Sequence, residues 1–400
     1  MKKNPSFLLK QIERVAYIFL LCSLVVGRLV AVLFTALPFI LKKKNPKKDF
    51  LFFPYAHKDN AGVITRFEIF LPFLERDKYS FDIYYTWSAR EEQKIFFKSK
   101  SRANEYLFLA RSFWRRLFQV MSAVNYRAVF FQRGLFPEYH DQYTPYLEKL
   151  LCKLNKNVTV DFFDADYGRN KKLVDATAII CNKVAVVNEY LYQYFINLNS
   201  NVCLNNLAVD VRRYNAKSIY LPHDPINIFW TGSEANAVHL KEIIPILEKI
   251  NLNYPLQLKM ICRTNGGYKN SIIQHLEWNE KTFLTELYEA DIAIYPAMNQ
   301  TIYTEGKVAY KSIEYGAAAL PIVASRFGLS SKFEDEEDVL LADNIEDWEK
   351  QIIRLINDES LRKKLGTNAR MKTEKFHSVE STYKNFLLIL LGENPAPIKK

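Results

Sequence analysis

The stretch from Tyr303 to Ser325, YTEGKVAYKSIEYGAAALPIVAS, narrows the choice of fold more than any other part of the chain. Val308, Ile313, Tyr315, Ala317 and Ala318 recur at helical spacing while Lys307, Lys311 and Glu314 take the remaining surface, the pattern of a helix laid on a sheet. Leu320 to Ala324 then reads as a short buried strand, reached through Pro321 with almost no connection. Helix, proline and buried strand in this order are a unit of doubly wound α/β proteins, with or without a nucleotide site.

Gly306 is expected to open the helix, which leaves its first backbone N–H groups bare and approachable by an anion. Lys307 adds a full charge there, and Lys311 and Glu314 follow four and seven residues on, on one face at successive turns. Donors for a diphosphate, with a carboxylate to accept from ribose hydroxyls, are what a nucleotide-sugar site needs.

Glu314-Tyr-Gly-Ala-Ala-Ala-Leu-Pro321-Ile-Val-Ala-Ser325 resembles the donor-site signature of retaining glycosyltransferases of the GT-B fold, especially family 4, the glycosyl transferases group 1. In that family a Glu, seven residues and a second Glu precede a helix end of small residues, Pro and an apolar strand. Lys311, three residues before Glu314, matches a familiar subtype; Gly306 stands where the first Glu would be, and the nearest acid, Glu305, is one residue early. The resemblance implies an α/β chain of two Rossmann-like domains, with Glu305, Glu314, Lys311 and His57 as catalytic candidates. It implies donor contacts from Gly232, Ser233, Arg263, Gly306, Lys307 and Glu314, acceptor contacts from Gly62, Arg66, Asp164 and Asp166, and no metal or resident cofactor, the nucleotide diphosphate sugar being a co-substrate.

The rest of the chain fits two such domains. Residues 49–221 alternate strand and helix, which means a parallel sheet. The strand Asp49 to Pro54, the loop with His57 and Gly62, and a helix over Asn60 to Glu75 carrying Arg66 make a first Rossmann-like unit, with its ligand crevice beyond the strand's carboxyl end. Leu221-Pro-His-Asp-Pro225 reads as a linker, and residues 222–376 as the second domain, with strands at Ile226 to Trp230 and Leu256 to Cys262 and a helix at Ile345 to Asn357. Trp230-Thr-Gly232-Ser233 follows the first of these strands, so Gly232 lets backbone approach a ligand. Residues 377–400 give a closing helix that returns to the first domain, then a tail.

Asp161-Phe-Phe-Asp164-Ala-Asp166 has two readings: Asp-x-Asp after a strand can hold a divalent cation in GT-A glycosyltransferases, or the acids serve the acceptor or the structure. Arg111, Arg115 and Arg116 with Phe113, Trp114 and Phe118 form a basic and aromatic helix, facing lipid, a phosphorylated acceptor or solvent. The five cysteines are too scattered for a disulfide framework or a C-x-x-C metal site, which fits a reducing cytoplasm.

The net charge of +11 calls for an anionic partner, and with no nucleic-acid motif in the chain the candidates are phospholipid or a phosphorylated substrate. Residues 1–48 form an arm in which Val15 to Leu41 is apolar apart from Arg28, with Lys2, Lys3, Lys10 and Arg14 before it and Lys42, Lys43, Lys44, Lys47 and Lys48 after. Its 17 Leu, Ile, Val and Phe residues outweigh the single Arg on an insertion scale, and the positive-inside bias keeps residues from 42 onward in the cytoplasm. Two arrangements stay open, a span or an in-plane element or hairpin broken at Gly27-Arg28, and both set the protein against the inner leaflet. A buried helical hairpin is the non-membrane alternative.

The sequence is therefore expected to encode a glycosyltransferase that moves a sugar from a nucleotide diphosphate carrier to a saccharide or lipid-linked acceptor, retaining and metal-independent, in cell-surface polysaccharide or glycolipid synthesis. A nucleotide-sugar epimerase or phosphorylase on the same fold, or a non-catalytic scaffold, is the alternative.

Overall fold

Residues 7–37, 46–99, 101–136, 144–264, 267–268, 270–297 and 299–393 are described by a computed structural model. In chain order the first elements are α1 (Phe7–Ala36), β1 (Lys48–Phe53), α2 (Ala61–Ile64), α3 (Leu71–Arg76), β2 (Phe81–Ile83), α4 (Ala89–Glu92), α5 (Arg102–Met121) and β3 (Tyr126–Gln132). Then come α6 (Tyr146–Leu154), β4 (Val158–Phe162), α7 (Tyr167–Ile180), β5 (Lys183–Val186), α8 (Glu189–Phe195) and β6 (Val202–Leu204). The later part runs β7 (Ile226–Thr231), α9 (Glu234–Ala237), α10 (Leu240–Asn251), β8 (Leu256–Cys262), β9 (Ile273–Glu277), α11 (Glu280–Glu289) and β10 (Ile292–Tyr295). It ends with α12 (Ile302–Glu305), α13 (Tyr310–Ala317), β11 (Ile322–Ala324), β12 (Leu340–Leu341), α14 (Ile345–Asn357), α15 (Glu359–His377) and α16 (Val379–Leu391).

Two compact units result, one of Met1–Val187, Leu191–Asn205 and Tyr383–Lys400, the other of Asn188–Tyr190 and Asn206–Thr382. Each holds a six-stranded, wholly parallel sheet, the two-domain α/β arrangement expected of GT-B.

The first sheet has the order β2-β1-β3-β4-β5-β6. Its central strands are covered on both faces: Phe50 to Phe53 and Val158 to Phe162 are buried at every position, the second run carrying Thr159 and Asp161 among its apolar residues. Phe386 of α16 completes this core, its ring centroid 4.5 Å from Phe70 and 5.4 Å from Phe130. The helix expected over Asn60 to Glu75 is broken into α2, a 3-10 turn at Glu68–Phe70 and α3. Phe67 leaves helical geometry at φ −152°, which separates α2 from the turn, and Pro72, with no N–H to donate, stands in the first turn of α3 where none is needed.

α1 docks on α5 and α6 of this unit and runs without interruption through Gly27-Arg28, so no break divides it there. Gly27 serves close approach instead, since a Cβ on it would lie 2.5 Å from Phe113 Cε1. The part of the arm at residues 38–41 lies outside the described residues.

In the second unit the order is β12-β11-β10-β7-β8-β9. β8 and α14 occupy the residues their patterns predict. Trp230 and Trp348 are fully buried in its core.

Candidate functional site

In an open parallel sheet, ligands settle beyond the carboxyl ends of the two neighbouring strands whose connections leave in opposite directions. In the second unit these are β7 and β10, which end at Thr231 and Tyr295. Gly232 and Ser233 follow β7 directly, and Ser233 caps only the four-residue α9.

Lys311, in the first turn of α13, reaches this point. Its Nζ is 4.6 Å from the Trp230 ring centroid and 5.7 Å from that of Tyr295, and a Cβ on Gly232 would come within 2.9 Å of it. Among the described residues neither Lys311 nor Lys307 forms an ion pair. Burial among the rings, then the charge of Lys307, push the Lys311 amine down to about 7 against the opposing pull of Glu314. Burial and the charges of Lys307 and Lys311 likewise push His239 below the usual imidazole range. Lys311, with the charge of Lys307 acting on it, thus puts positive charge beside Gly232 in a place that favours an added anion.

The helix start points the same way, though it does not lie where the sequence put it. Thr301 and Thr304 form a capping box that closes α12 as a separate turn, and Gly306 ends that turn, its N–H donating to Ile302 O at 2.8 Å. Gly306 therefore does not open the long helix. α13 begins at Tyr310 behind Ala309, a residue with no side-chain cap, and Gly328 O accepts from Ala309 N at 2.7 Å to set the turn. Gly328 has φ +71°, and a Cβ there would meet Tyr295 Oη at 2.7 Å.

Glu314 is one turn on. Tyr214 Oη donates to its Oε1 at 2.8 Å, and burial pushes its carboxyl up to about 7 despite that bond and the charges of Arg213 and Lys311. Glu305 lies apart, its Oε1 accepting from Gln300 Nε2 at 2.8 Å, with no hydrogen bond or ion pair to Lys311 or Glu314. Arg263 is exposed one residue past β8. The structure thus brings together Gly232, Lys307, Lys311 and Glu314.

In the first unit the corresponding crevice is at the ends of β1 and β3. Arg66 is not available to it: the side chain is fully buried, Nε donating to Asp161 Oδ2 at 3.0 Å and Nη2 to Asp161 Oδ1, with Nη1 on Asn205 O. Its expected place among the acceptor contacts is corrected to a structural ion pair. Asp164 and Asp166 both pair with Arg133, at 2.8 and 2.6 Å. Arg133 lies over the rings of Tyr55 and Phe163 at 5.0 and 5.1 Å. Gly62 sits beneath the same group, since a Cβ would meet Tyr55 Oη at 3.0 Å and Phe163 at 3.1 Å. His57 accepts from Asp59 N at Nδ1, 3.1 Å, which leaves Nε2 to donate to Glu92 Oε2 at 3.2 Å. Beside it opens a cleft of about 520 Å³ lined in part by Tyr84, Tyr85, Trp87, Lys58, Arg90 and Glu91.

Sequence reasoning missed the rings under Lys311, the Tyr214 partner of Glu314, and Arg133. Trp230 was within reach, two residues before Gly232 at the end of a predicted strand. Tyr214 lies 100 residues from Glu314 and carries no local signal.

Residues 245–387 match the family described as glycosyl transferase-like. No curated protein matches the chain in sequence. Solved structures similar to it include sucrose-phosphate synthase from Thermosynechococcus elongatus, at 12% identity, with 86% of this chain and 98% of that one covered and a TM-score of 0.65. A glycosyltransferase from Rickettsia africae has 14% identity, the same coverages and a TM-score of 0.64. HepE of Anabaena, in complex with UDP and glucose, has 9% identity, coverages of 86% and 99%, and a TM-score of 0.57. At these identities the structural likeness is one of fold, and the fold is GT-B.

Proposed function

The chain is a glycosyltransferase of the GT-B fold, and on that premise we propose that it transfers a sugar from a nucleoside diphosphate carrier, held by the second unit, to the hydroxyl of a saccharide or lipid-linked acceptor, held by the first. The observation that carries this reading is Lys311, an ammonium with no ion-pair partner among the described residues, at the β7 and β10 strand ends. The bound UDP of HepE, a protein of the same fold, supports it.

Lys311, Lys307 and the uncapped start of α13 meet the diphosphate, and their charge stabilises the negative charge that grows on it as the sugar leaves. Arg263 and the backbone at Gly232 and Ser233 complete the cradle. Glu314, oriented by Tyr214, accepts from hydroxyls of the nucleotide-sugar, and ionises as pH rises through about 7. Glu305 takes the sugar side. His57, with Nε2 held by Glu92, lies beside the aromatic cleft of the first unit, where rings offer faces for a sugar acceptor. The transfer proceeds with retention and without a metal, Asp164 and Asp166 being engaged by Arg133. Attachment to the inner leaflet through residues 15–41 brings the acceptor domain to lipid-borne glycans, in cell-surface polysaccharide or glycolipid synthesis.

A panel of labelled nucleotide sugars incubated with the protein and membrane extract tests the reading. Incorporation of one sugar into an extractable glycan is the expected result; interconversion of the sugar without transfer, or no turnover of any donor, would contradict it.

A further inference from the structure

α1 is docked by a single stripe. Ala16, Leu20, Leu24, Gly27 and Ala31 are buried at spacings of four, four, three and four, which is one helix face. Along that face Arg102 N donates to Glu13 Oε1 at 2.9 Å, Tyr17 meets Tyr106 with ring centroids 5.2 Å apart, and Trp114 Nε1 donates to Ser23 Oγ at 2.7 Å. The contacts advance together along both helices, so α1 lies alongside α5 from its second turn to beyond Gly27.

The rest of the circumference is apolar and uncovered. Apart from Tyr17, twelve large apolar side chains of α1 are exposed, among them Val15 at 66%, Val25 at 53% and Leu29 at 64%. From Val15 to Ala36 the only charge is Arg28, and its guanidinium sits 5.6 Å over the Tyr146 ring of α6, on the docked side. A contiguous apolar face running the length of a helix is a mark of a lipid or protein contact surface. Exposed Leu107 and Phe118 on α5, with Arg111 between them, extend it.

Both ends are basic. Lys10 and Arg14 are exposed at one, Lys47 and Lys48 follow the other, and Lys42, Lys43 and Lys44 stand between in the sequence. A span would carry one basic group to the outer side, against the positive-inside bias. It would also draw in α5, which bears Arg102, Glu105, Arg111, Arg115 and Arg116, or strip α1 from it and bare Phe113 to water.

We propose that α1 is a monotopic element lying in the plane of one anionic phospholipid leaflet, its small-residue stripe on the protein and its opposite face among the acyl chains. The proposal rests on the reading of membrane attachment and adds its geometry. α5 then sits at the lipid boundary, with Trp114 tying it to α1 through Ser23.

Full-length protein added to sealed vesicles of phosphatidylglycerol and phosphatidylethanolamine tests it. In a Cys22→Ser background, Lys10→Cys and Lys47→Cys are each probed with a thiol reagent that does not cross the bilayer. The expected result is equal labelling at both, and equal, shallow quenching depth for probes at Ile18, Val25 and Val32, which share the exposed face. Protection of one end, or a depth that reaches the bilayer centre in mid-helix, would overturn the in-plane arrangement while leaving attachment standing. Failure to bind vesicles, with or without self-association of the chain through this face, would overturn both. Val25→Glu with Leu29→Glu, two exposed positions, is expected to lower the bound fraction at least tenfold at fixed lipid with the unfolding transition unchanged; undiminished binding would also count against the proposal.

Discussion

Lys311 holds its ammonium 4.6 Å from the centroid of Trp230, with no acidic partner among the described residues. A cation over an indole face is stabilised modestly, by about 0.5–2 kcal/mol, far less than water supplies to a free ammonium. The group is therefore poised for an anion, and its amine is depressed to about 7 for that reason.

A dependence on pH follows, with a definite sign. A diphosphate favours the charged form of Lys311, so the pKa rises on binding and the complex takes up a proton wherever the free amine is neutral. Affinity for UDP is thus highest below pH 7 and falls as pH rises from 7 to 9, with a limiting slope of roughly tenfold per pH unit. Calorimetry at pH 8 in buffers of different ionisation heat should register up to one proton taken up. Glu314→Gln should keep this slope, and a pH-independent affinity would remove Lys311 from the diphosphate contact.

Replacing Glu314 by Gln tests the hydroxyl contact. A hydrogen bond to a charged acceptor is worth about 1.5–3 kcal/mol, of which an amide keeps part, so the loss in kcat/KM should be about tenfold or more at pH 8, where the carboxylate is ionised. Thermal unfolding should stay near wild type. Unchanged kinetics would take the residue out of the site.

On the proposed reading, in which Lys307, Lys311 and the start of α13 meet the leaving diphosphate, activity is expected to survive a chelator, since Arg133 already holds Asp164 and Asp166. Loss of turnover in EDTA with recovery on adding manganese would hand the role back to the acids.

Arg66→Met strands the Asp161 carboxylate in the core of the first unit, and breaking a buried pair in this way costs about 3–5 kcal/mol. Chemical denaturation should show that loss, and Arg66→Met with Asp161→Leu should recover much of it. A stable single variant with weakened acceptor kinetics would restore Arg66 to a binding role.

The alternation of strand and helix was legible because most of the inner parallel strands are buried, largely apolar runs bounded by polar turns, and β8 and α14 were read to the residue. β9 was not, since Gln274, His275 and Glu277 give an outer strand no apolar rhythm. The start of α13 was misplaced because a glycine in a charged stretch reads equally as the opening of one helix and the end of another; only the pairing of Thr301 with Thr304 and the reach of Gly328 to Ala309 decide it. Arg66 misled for a similar reason. Its partner stands 95 residues away, and nothing local separates a guanidinium awaiting a substrate from one already paired.

The most direct test is a titration of UDP into the wild-type protein and Lys311→Ala at pH 7, with circular dichroism to confirm that both are folded. The account predicts saturable binding by the wild type and an affinity at least tenfold lower for the variant. Equal affinities, or no binding of any nucleoside diphosphate by the wild type, would contradict the claim that the second unit is a nucleotide-sugar site built around Lys311.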